Sequence, residues 1–430
     1  MCYFVHCFGQ TRTFAINSQK AQVEMAELQI LKTGLPLIYI QRNQKIGHMV
    51  IHFNRGSSSD PEKLQGAVHL LEHMLFKGTK TRNYFDLICG IEHLGADLNA
   101  FTTKENMILH VSYPDQYMDE ICLILSDIVN NSVFDEKELK KEKQVICDEI
   151  KSYRDTPEEF IYDEWERLML TGNGLSHPIL GTAASVNRMT LGDLKKLYKT
   201  VRSDFQISVV SSRTKDQIKK IIAKHFTSKV KSTRAINLTK LIREDKPKIK
   251  VLNDDVSQAH IILGRIGPHF THDDQLPVYL LSSFLGGSAM SSVLNMEMRE
   301  KRGISYTVEA SLQSYRDKGL FFTYFTCDKQ RTWKAMQVIA DIFDHYRNNG
   351  LTKDEFDTLI RMTKSQYTMF FEPALNEAMY HAKFYQYFNQ IVQIPDLMKE
   401  LGKTKRESIN RVAAKMLDFE KFSRISIEKK

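Results

Sequence analysis

The five residues His69-Leu70-Leu71-Glu72-His73 constrain this chain more than any other stretch of it. On a helix, residues four apart share a face, so the two imidazoles stand one turn apart and can converge on one ion. Glu72 follows His69 by three residues and adjoins His73, within reach of a water on that ion. Two neutral imidazoles are good zinc ligands, but a catalytic zinc needs a third protein ligand and an open position. A chain that dedicates this helix to a metal must therefore fold so that another donor packs beside it. The competing reading is an amphipathic helix over residues 68–76 whose histidines sit at the edge of a core.

At 430 residues the chain exceeds a typical single core, and two or more domains are expected. Apolar content of 42% and charged content of 26% are those of an ordinary globular protein. No apolar run reaches the roughly 18 to 20 residues that span a bilayer. The net charge of +8 is dispersed, and the short basic cluster at Lys140 and Lys141 is interrupted by acids, with no reading module beside it. Nucleic-acid binding is not expected from such a pattern. Cys2, Cys7, Cys89, Cys122, Cys147 and Cys327 form no C-x-x-C pair, which fits a reducing, cytoplasmic setting. Residues 1–25 read as an extension: the apolar stretch 2–8 lacks a preceding basic region, so no signal peptide is expected, and Cys2, His6 and Cys7 read as tail rather than metal cluster. Met25, just before a first strand-like segment near Leu28, offers an alternative start.

Residues 35–40 and 48–53 are β-rich runs around a polar turn and read as neighbouring strands. A Ser/Asp/Pro loop, 56–65, leads into the His69 helix. A second helix follows at about 84–94, then two strands around a polar turn within 95–113, then a helix over 116–130. Residues 134–153 form a further helix, with Asp135 as its cap. It places Glu142, Ile146, Glu149 and Tyr153 along one stripe. Carboxylates turned towards a core need a partner, and a metal is one; a solvated edge of a highly charged helix is the other reading.

The segments His69-Leu-Leu-Glu-His-Met-Leu-Phe-Lys-Gly-Thr, Gly95-Ala-Asp-Leu-Asn-Ala-Phe-Thr and Glu142-Lys-Gln-Val-Ile-Cys-Asp-Glu-Ile resemble, in order and spacing, the pitrilysin/insulinase family of zinc peptidases, particularly its half-length bacterial and mitochondrial-processing-type members. Glu149 stands 76 residues after His73, at the family's spacing for its third ligand. The resemblance implies His69, His73 and Glu149 as ligands of one zinc ion per chain, Glu72 as general base, and Glu142 as a nearby acid that orients a ligand. It also implies that Asn99, Ala100 and Phe101 pair with an extended substrate as an added strand. Lys77 and Lys80, near the motif, point to acidic peptides.

The second half looks like a worn copy of the first, a repeat of roughly 200 residues. His260-Ile-Ile-Leu-Gly matches the strand at His48, and the segment from Pro277 matches the His69 helix. Its ligand positions fall near Val278, Leu281, Ser282 and Gln366, which cannot bind zinc. The copy keeps Arg299 and Tyr306 at the spacing of the family's Arg-Tyr motif, although Val293 stands where relatives often carry Arg. The resemblance implies that Arg299 holds a substrate carbonyl and Tyr306 donates to the oxyanion.

The expected organisation is an extension (1–25), a zinc-binding catalytic domain (26–230), a basic linker (231–250) and a degenerate repeat domain (251–430). Each domain is expected to be α+β, an antiparallel sheet with helices packed on one face, forming half of a clamshell chamber. Full-length relatives place zinc in their first domain and the Arg-Tyr pair in their last. Carriage of both sets by a two-domain chain implies a homodimer, or a heterodimer with a related half-length subunit. The implied activity is a zinc endopeptidase, a processing-type protease of peptides or unfolded segments. A non-catalytic partner subunit or peptide-binding scaffold of the same fold is the alternative, and a globular module with an accidental motif is the last.

Overall fold

The computed structural model describes residues 25–231 and 246–429. The N-terminal extension before Met25 and most of the basic linker lie outside the described residues. The chain forms two sheets. The first contains β1 (Glu27–Ile30), β2 (Pro36–Gln41), β3 (Ile46–Phe53), β4 (Asp97–Thr102), β5 (Met107–Pro114) and β6 (Phe205–Ser211), in the order β1-β2-β6-β3-β5-β4. The second contains β7 (Ile249–Asn253), β8 (Ala259–Gly267), β9 (Val308–Ser314), β10 (Gly319–Cys327) and β11 (Ser423–Glu428), in the order β7-β11-β8-β10-β9. Each sheet is antiparallel except for one parallel pair, β2 with β6 and β7 with β11. Apart from β1, the two orders are the same path, as expected of a repeat.

The strands at 35–40 and 48–53 are not neighbours. β6 lies between them, parallel to β2 and antiparallel to β3. The polar turn at 41–47 is therefore a step over β6, whose residues come from far along the chain and gave the local sequence no sign of their presence.

The central strands are apolar on both faces because both faces are covered. Leu37, Tyr39, Met49, Ile51, Ile207 and Val209 point into a core shared with the helices of the first half. Ile38, Ile40, Val50 and Val210 point the other way, onto Ala374, Ala378, Ala382 and Tyr385 of a helix from the second half, Ala374–Phe388. The second sheet receives the converse. Ile262, Leu320, Phe322 and Tyr324 meet Ile161 and Trp165 of Pro157–Met169, a helix from the first half. Gly264 in β8 makes room for that indole, since a Cβ there would lie 2.6 Å from Trp165 Cζ2. These two helices hold equivalent places in the two halves, so the exchange is reciprocal.

No described helix is long and apolar enough to cross a membrane. The four described cysteines, Cys89, Cys122, Cys147 and Cys327, are all free.

The covered face of the first sheet contains a buried histidine. His52 Nδ1 accepts from Gln206 Nε2 at 3.1 Å, and the same amide donates to the carbonyl of Ala382 at 2.9 Å. Burial, reinforced by Lys383, pushes the imidazole down from 6.5 to about 3. A depressed histidine favours folding above its unfolded value, and that contribution is lost as pH falls from 6.5 towards 3. Denaturant titrations at stepped pH should show that slope reduced by about one proton in His52→Gln relative to the native chain; an unchanged slope would mean that the ring is already charged in the fold.

Candidate metal centre

The motif helix, Ala67–Leu75, begins in an unusual way. Its N-cap residue, Gly66, has φ +87°, and a Cβ there would lie 2.5 Å from the carbonyl oxygen of Leu180. With no side chain at the cap, the first free N–H groups are met from a distance. The buried carboxylate of Asp60 accepts from the amides of Gly66 and Ala67 at 2.9 Å and of Val68 at 3.3 Å. A carboxylate suits the positive end of a helix. Val68, Leu70, Leu71, Met74 and Leu75 then enter the core. This fixes the rotation of the helix about its axis and turns His69, Glu72 and His73 towards the neighbouring Glu136–Arg154 helix and β4. Asp135 caps that second helix, accepting from Lys137 and Glu138.

Between these two helices, His69 Nε2 and His73 Nε2 lie 4.0 and 3.8 Å from Glu149 Oε2. The three donor atoms all fall within 4.8 Å of one another, the one such group of three or more found among the described residues. Nitrogen and oxygen donors around tetrahedral zinc stand about 3.4 Å apart, so an inward shift of about half an ångström suits the ion. The donor chemistry fits as well. Burial, with His73 beside it, pushes His69 down to about 3, which keeps its ring neutral. At His73 burial works against charge, but the bond to Glu142 and the carboxylates of Glu149 and Glu72 outweigh it and raise the ring. His73 Nδ1 donates to Glu142 Oε2 at 3.0 Å, so Nε2 is the ring nitrogen that faces Glu149 and would offer its lone pair to a metal.

Glu142 is buried, yet His73 and Lys77 together hold its carboxyl below the usual range against that burial. Lys77 Nζ lies 2.7 Å from Glu142 Oε1 and 5.4 Å from the centre of the Tyr84 ring. Lys77 is therefore engaged with Glu142. Glu72 is buried, which raises its carboxyl, while the hydroxyl of Thr102 donates to Oε2 and pulls the other way. Asp60, Thr102 and the pairing of Lys77 with Glu142 are contacts that no motif in the sequence marks. Thr102 closes the Asn-Ala-Phe-Thr segment, so its position was visible and only its contact was not.

Asn99, Ala100 and Phe101 lie on β4, the outermost strand of the first sheet. Asn99 is exposed, the other two are half-buried, and Asn99 Oδ1 accepts from the amide of Ala100 at 2.8 Å. Arg299 and Tyr306 belong to the second half. Arg299 sits on a single π-helical turn, Asn295–Glu300, with its guanidinium carbon 4.7 Å from the centre of the Tyr306 ring. Tyr306 is 72% exposed, and Val293 packs against the second core. One chain thus gathers His69, Glu72, His73, Glu142 and Glu149, while Arg299 stacks on Tyr306 and pairs with Glu300 at 3.4 Å. In the worn copy, Val278, Leu281 and Ser282 are buried in the second core's helix. Gln366 lines a cavity of about 370 Å³ with Ser283, Phe284, Leu359 and Thr363.

The model of the insulinase-type peptidase family M16 matches residues 37–183, and that of the M16 inactive domain matches residues 188–363. An uncharacterised zinc protease of Streptomyces coelicolor is 30% identical over 309 residues, 70% of this chain and 67% of that protein. The chain belongs to peptidase family M16. An uncharacterised zinc protease of Bacillus subtilis is 28% identical over 364 residues, 84% of this chain and 88% of the relative, so both are half-length members of M16. Among solved structures, a protease from Helicobacter pylori has a TM-score of 0.86 at 20% identity, covering 94% of this chain and all of that one. An M16 inactive domain from Pseudomonas fluorescens has the same TM-score at 19% identity, covering 94% and 98%. These likenesses bear out the two-domain M16 fold.

Asp60 gives the site a testable support. Asp60→Ala leaves three buried amides without an acceptor and should lower stability by about 2 kcal/mol while weakening zinc affinity. Denaturant unfolding and competitive zinc titration read the two effects; a loss under about 0.5 kcal/mol would remove Asp60 from the support of the helix.

Proposed function

We propose that this chain is a cytoplasmic zinc endopeptidase that hydrolyses peptides or unfolded segments, holding one zinc ion through His69, His73 and Glu149. The observation that carries the reading is the convergence of two imidazoles and a carboxylate beside Glu72 and an open strand edge. When bound, zinc would acidify the attacking water and polarise the scissile carbonyl. Glu72 takes the proton from that water and passes it to the departing amine. Glu142, held by Lys77, keeps His73 in the tautomer that presents Nε2. The open edge of β4 at Asn99 to Phe101 receives the peptide as an added strand, which suits many sequences because backbone groups make the bonds.

Arg299 and Tyr306 belong, in this proposal, to the zinc site of another subunit. Their stacking and the exposure of Tyr306 support a role at a surface that a second copy reaches. There Arg299 would hold a substrate carbonyl and Tyr306 would donate to the oxyanion. Two copies, or one copy with a related half-length subunit, would close a chamber that admits unfolded chains and excludes folded ones.

Zinc analysis paired with cleavage of a quenched peptide library tests the core of the proposal. The native chain and Glu72→Gln should both hold about one zinc, while cleavage falls about 10³-fold in the variant. Zinc without cleavage in either protein would favour a non-catalytic partner subunit, and no zinc in either would remove the site. Subunit completion has its own test. Mixing Glu72→Gln with Tyr306→Phe should restore part of the lost activity, and no recovery after demonstrated subunit exchange would rule out completion in trans.

A further inference from the structure

We infer that Thr102 is a positioning residue, which holds the Glu72 carboxylate by one oxygen and aims the other at the reacting water. The inference rests on the reading of Glu72 as general base. A glutamate side chain turns about three bonds, whereas a base must stay within about 2.6–3.2 Å of the proton it takes. Glu72 is 8% exposed and Thr102 is 9% exposed, and the hydroxyl of Thr102 donates to Glu72 Oε2. With Oε2 engaged, Oε1 remains to accept the proton. Threonine suits the task because branching at Cβ restricts its χ1, so the direction of the hydroxyl follows from the backbone.

That backbone is held firmly. Thr102 is the last residue of β4, and the turn after it is buried and tied to both halves of the chain. Thr103 closes the turn through its amide to the carbonyl of Asn106 at 2.7 Å. Lys104 Nζ reaches Glu166 at 2.7 Å, Asp163 at 3.7 Å and the carbonyl of His177 at 2.6 Å, all in the first half. Glu105 accepts from the amide of Arg316 at 3.0 Å and from the hydroxyl of Tyr387, both in the second half. Gln386 donates to the carbonyl of Glu105 at 3.1 Å and accepts from Asn106 Nδ2 at 3.3 Å. The strand proposed to take the peptide therefore ends in the group that aims the base, and that end is anchored where the two halves meet.

The test compares Thr102→Val, which keeps the shape and removes the donor, with Thr102→Ser, which keeps the donor. Zinc content and melting temperature should stay near native in both. In the valine variant kcat should fall about 10- to 100-fold with KM within about twofold, and serine should recover most of the loss. Crystal structures of the zinc-loaded proteins give a readout independent of turnover: Glu72 should adopt a second side-chain conformation in the valine variant and one conformation in the native and serine proteins. Native kcat with an unmoved Glu72 in Thr102→Val overturns the inference, as does a serine variant as slow as valine. If the native chain cleaves no peptide, the endopeptidase reading fails, and the conformation of Glu72 across the three proteins then decides the inference alone. If Thr102→Val does not fold, Thr102→Ala removes the same donor and is read by the same criteria.

Discussion

Each half of this chain covers a sheet face that belongs to the other half. The Pro157–Met169 helix lies on the second sheet and Ala374–Phe388 lies on the first. Without the exchange, Ile38, Val50 and Val210 on one sheet and Ile262, Phe322 and Tyr324 on the other would face water. At roughly 25 cal/mol per Å² of apolar surface, each such side chain contributes on the order of 1.5–3 kcal/mol when covered. The side-chain fit shows how close the contact is: alanines at 378 and 382 let one helix approach its sheet, and Gly264 lets the other strand accept an indole. Polar ties reinforce it, with Gln206 bonding across to Ala382 and Arg42 pairing with Glu377 at 2.8 Å.

The candidate metal centre borrows its rigidity from that arrangement. His69, His73 and Glu149 sit on helices whose apolar faces are locked into the first core, and both helices are capped by carboxylates, Asp60 and Asp135. Around them the charges alternate. Lys77 holds Glu142, Glu142 holds His73, and Thr102 holds Glu72. Glu142, His73 and Glu72 each have a partner in this way, which is the condition for keeping such groups away from bulk water at tolerable cost. Sites built on helices and strands keep their geometry better than sites built on loops.

Much of this was legible in the sequence because it depends on short spacings. The four-residue interval between His69 and His73 and the seven-residue interval between Glu142 and Glu149 translate into helix faces without knowledge of the fold. The pairing of the two helices followed from the family resemblance and not from the residues alone. Three things were not legible, for different physical reasons. The insertion of β6 between β2 and β3 depends on residues more than 150 positions downstream, which leave no local mark on the turn they cross. The fate of Lys77 turned on which face of Glu142 it met. Asp60 caps its helix from six residues before Gly66, beyond the usual side-chain cap, so a motif search centred on the cap position passes over it.

The exchange of helices also orders events during synthesis. As the chain leaves the ribosome, the first sheet can assemble once residues up to Ser211 have emerged, but the helix that covers its outer face begins at Ala374. For more than 150 residues of further elongation that apolar face waits uncovered, at a pace of about 5–20 residues per second. The first half meanwhile holds out Pro157–Met169, a helix whose own sheet has not yet been made. The nascent chain thus spends on the order of 10 seconds or more as a half-formed body that presents both a bare surface and an unclaimed helix, and its second sheet closes only when β11 joins between β7 and β8.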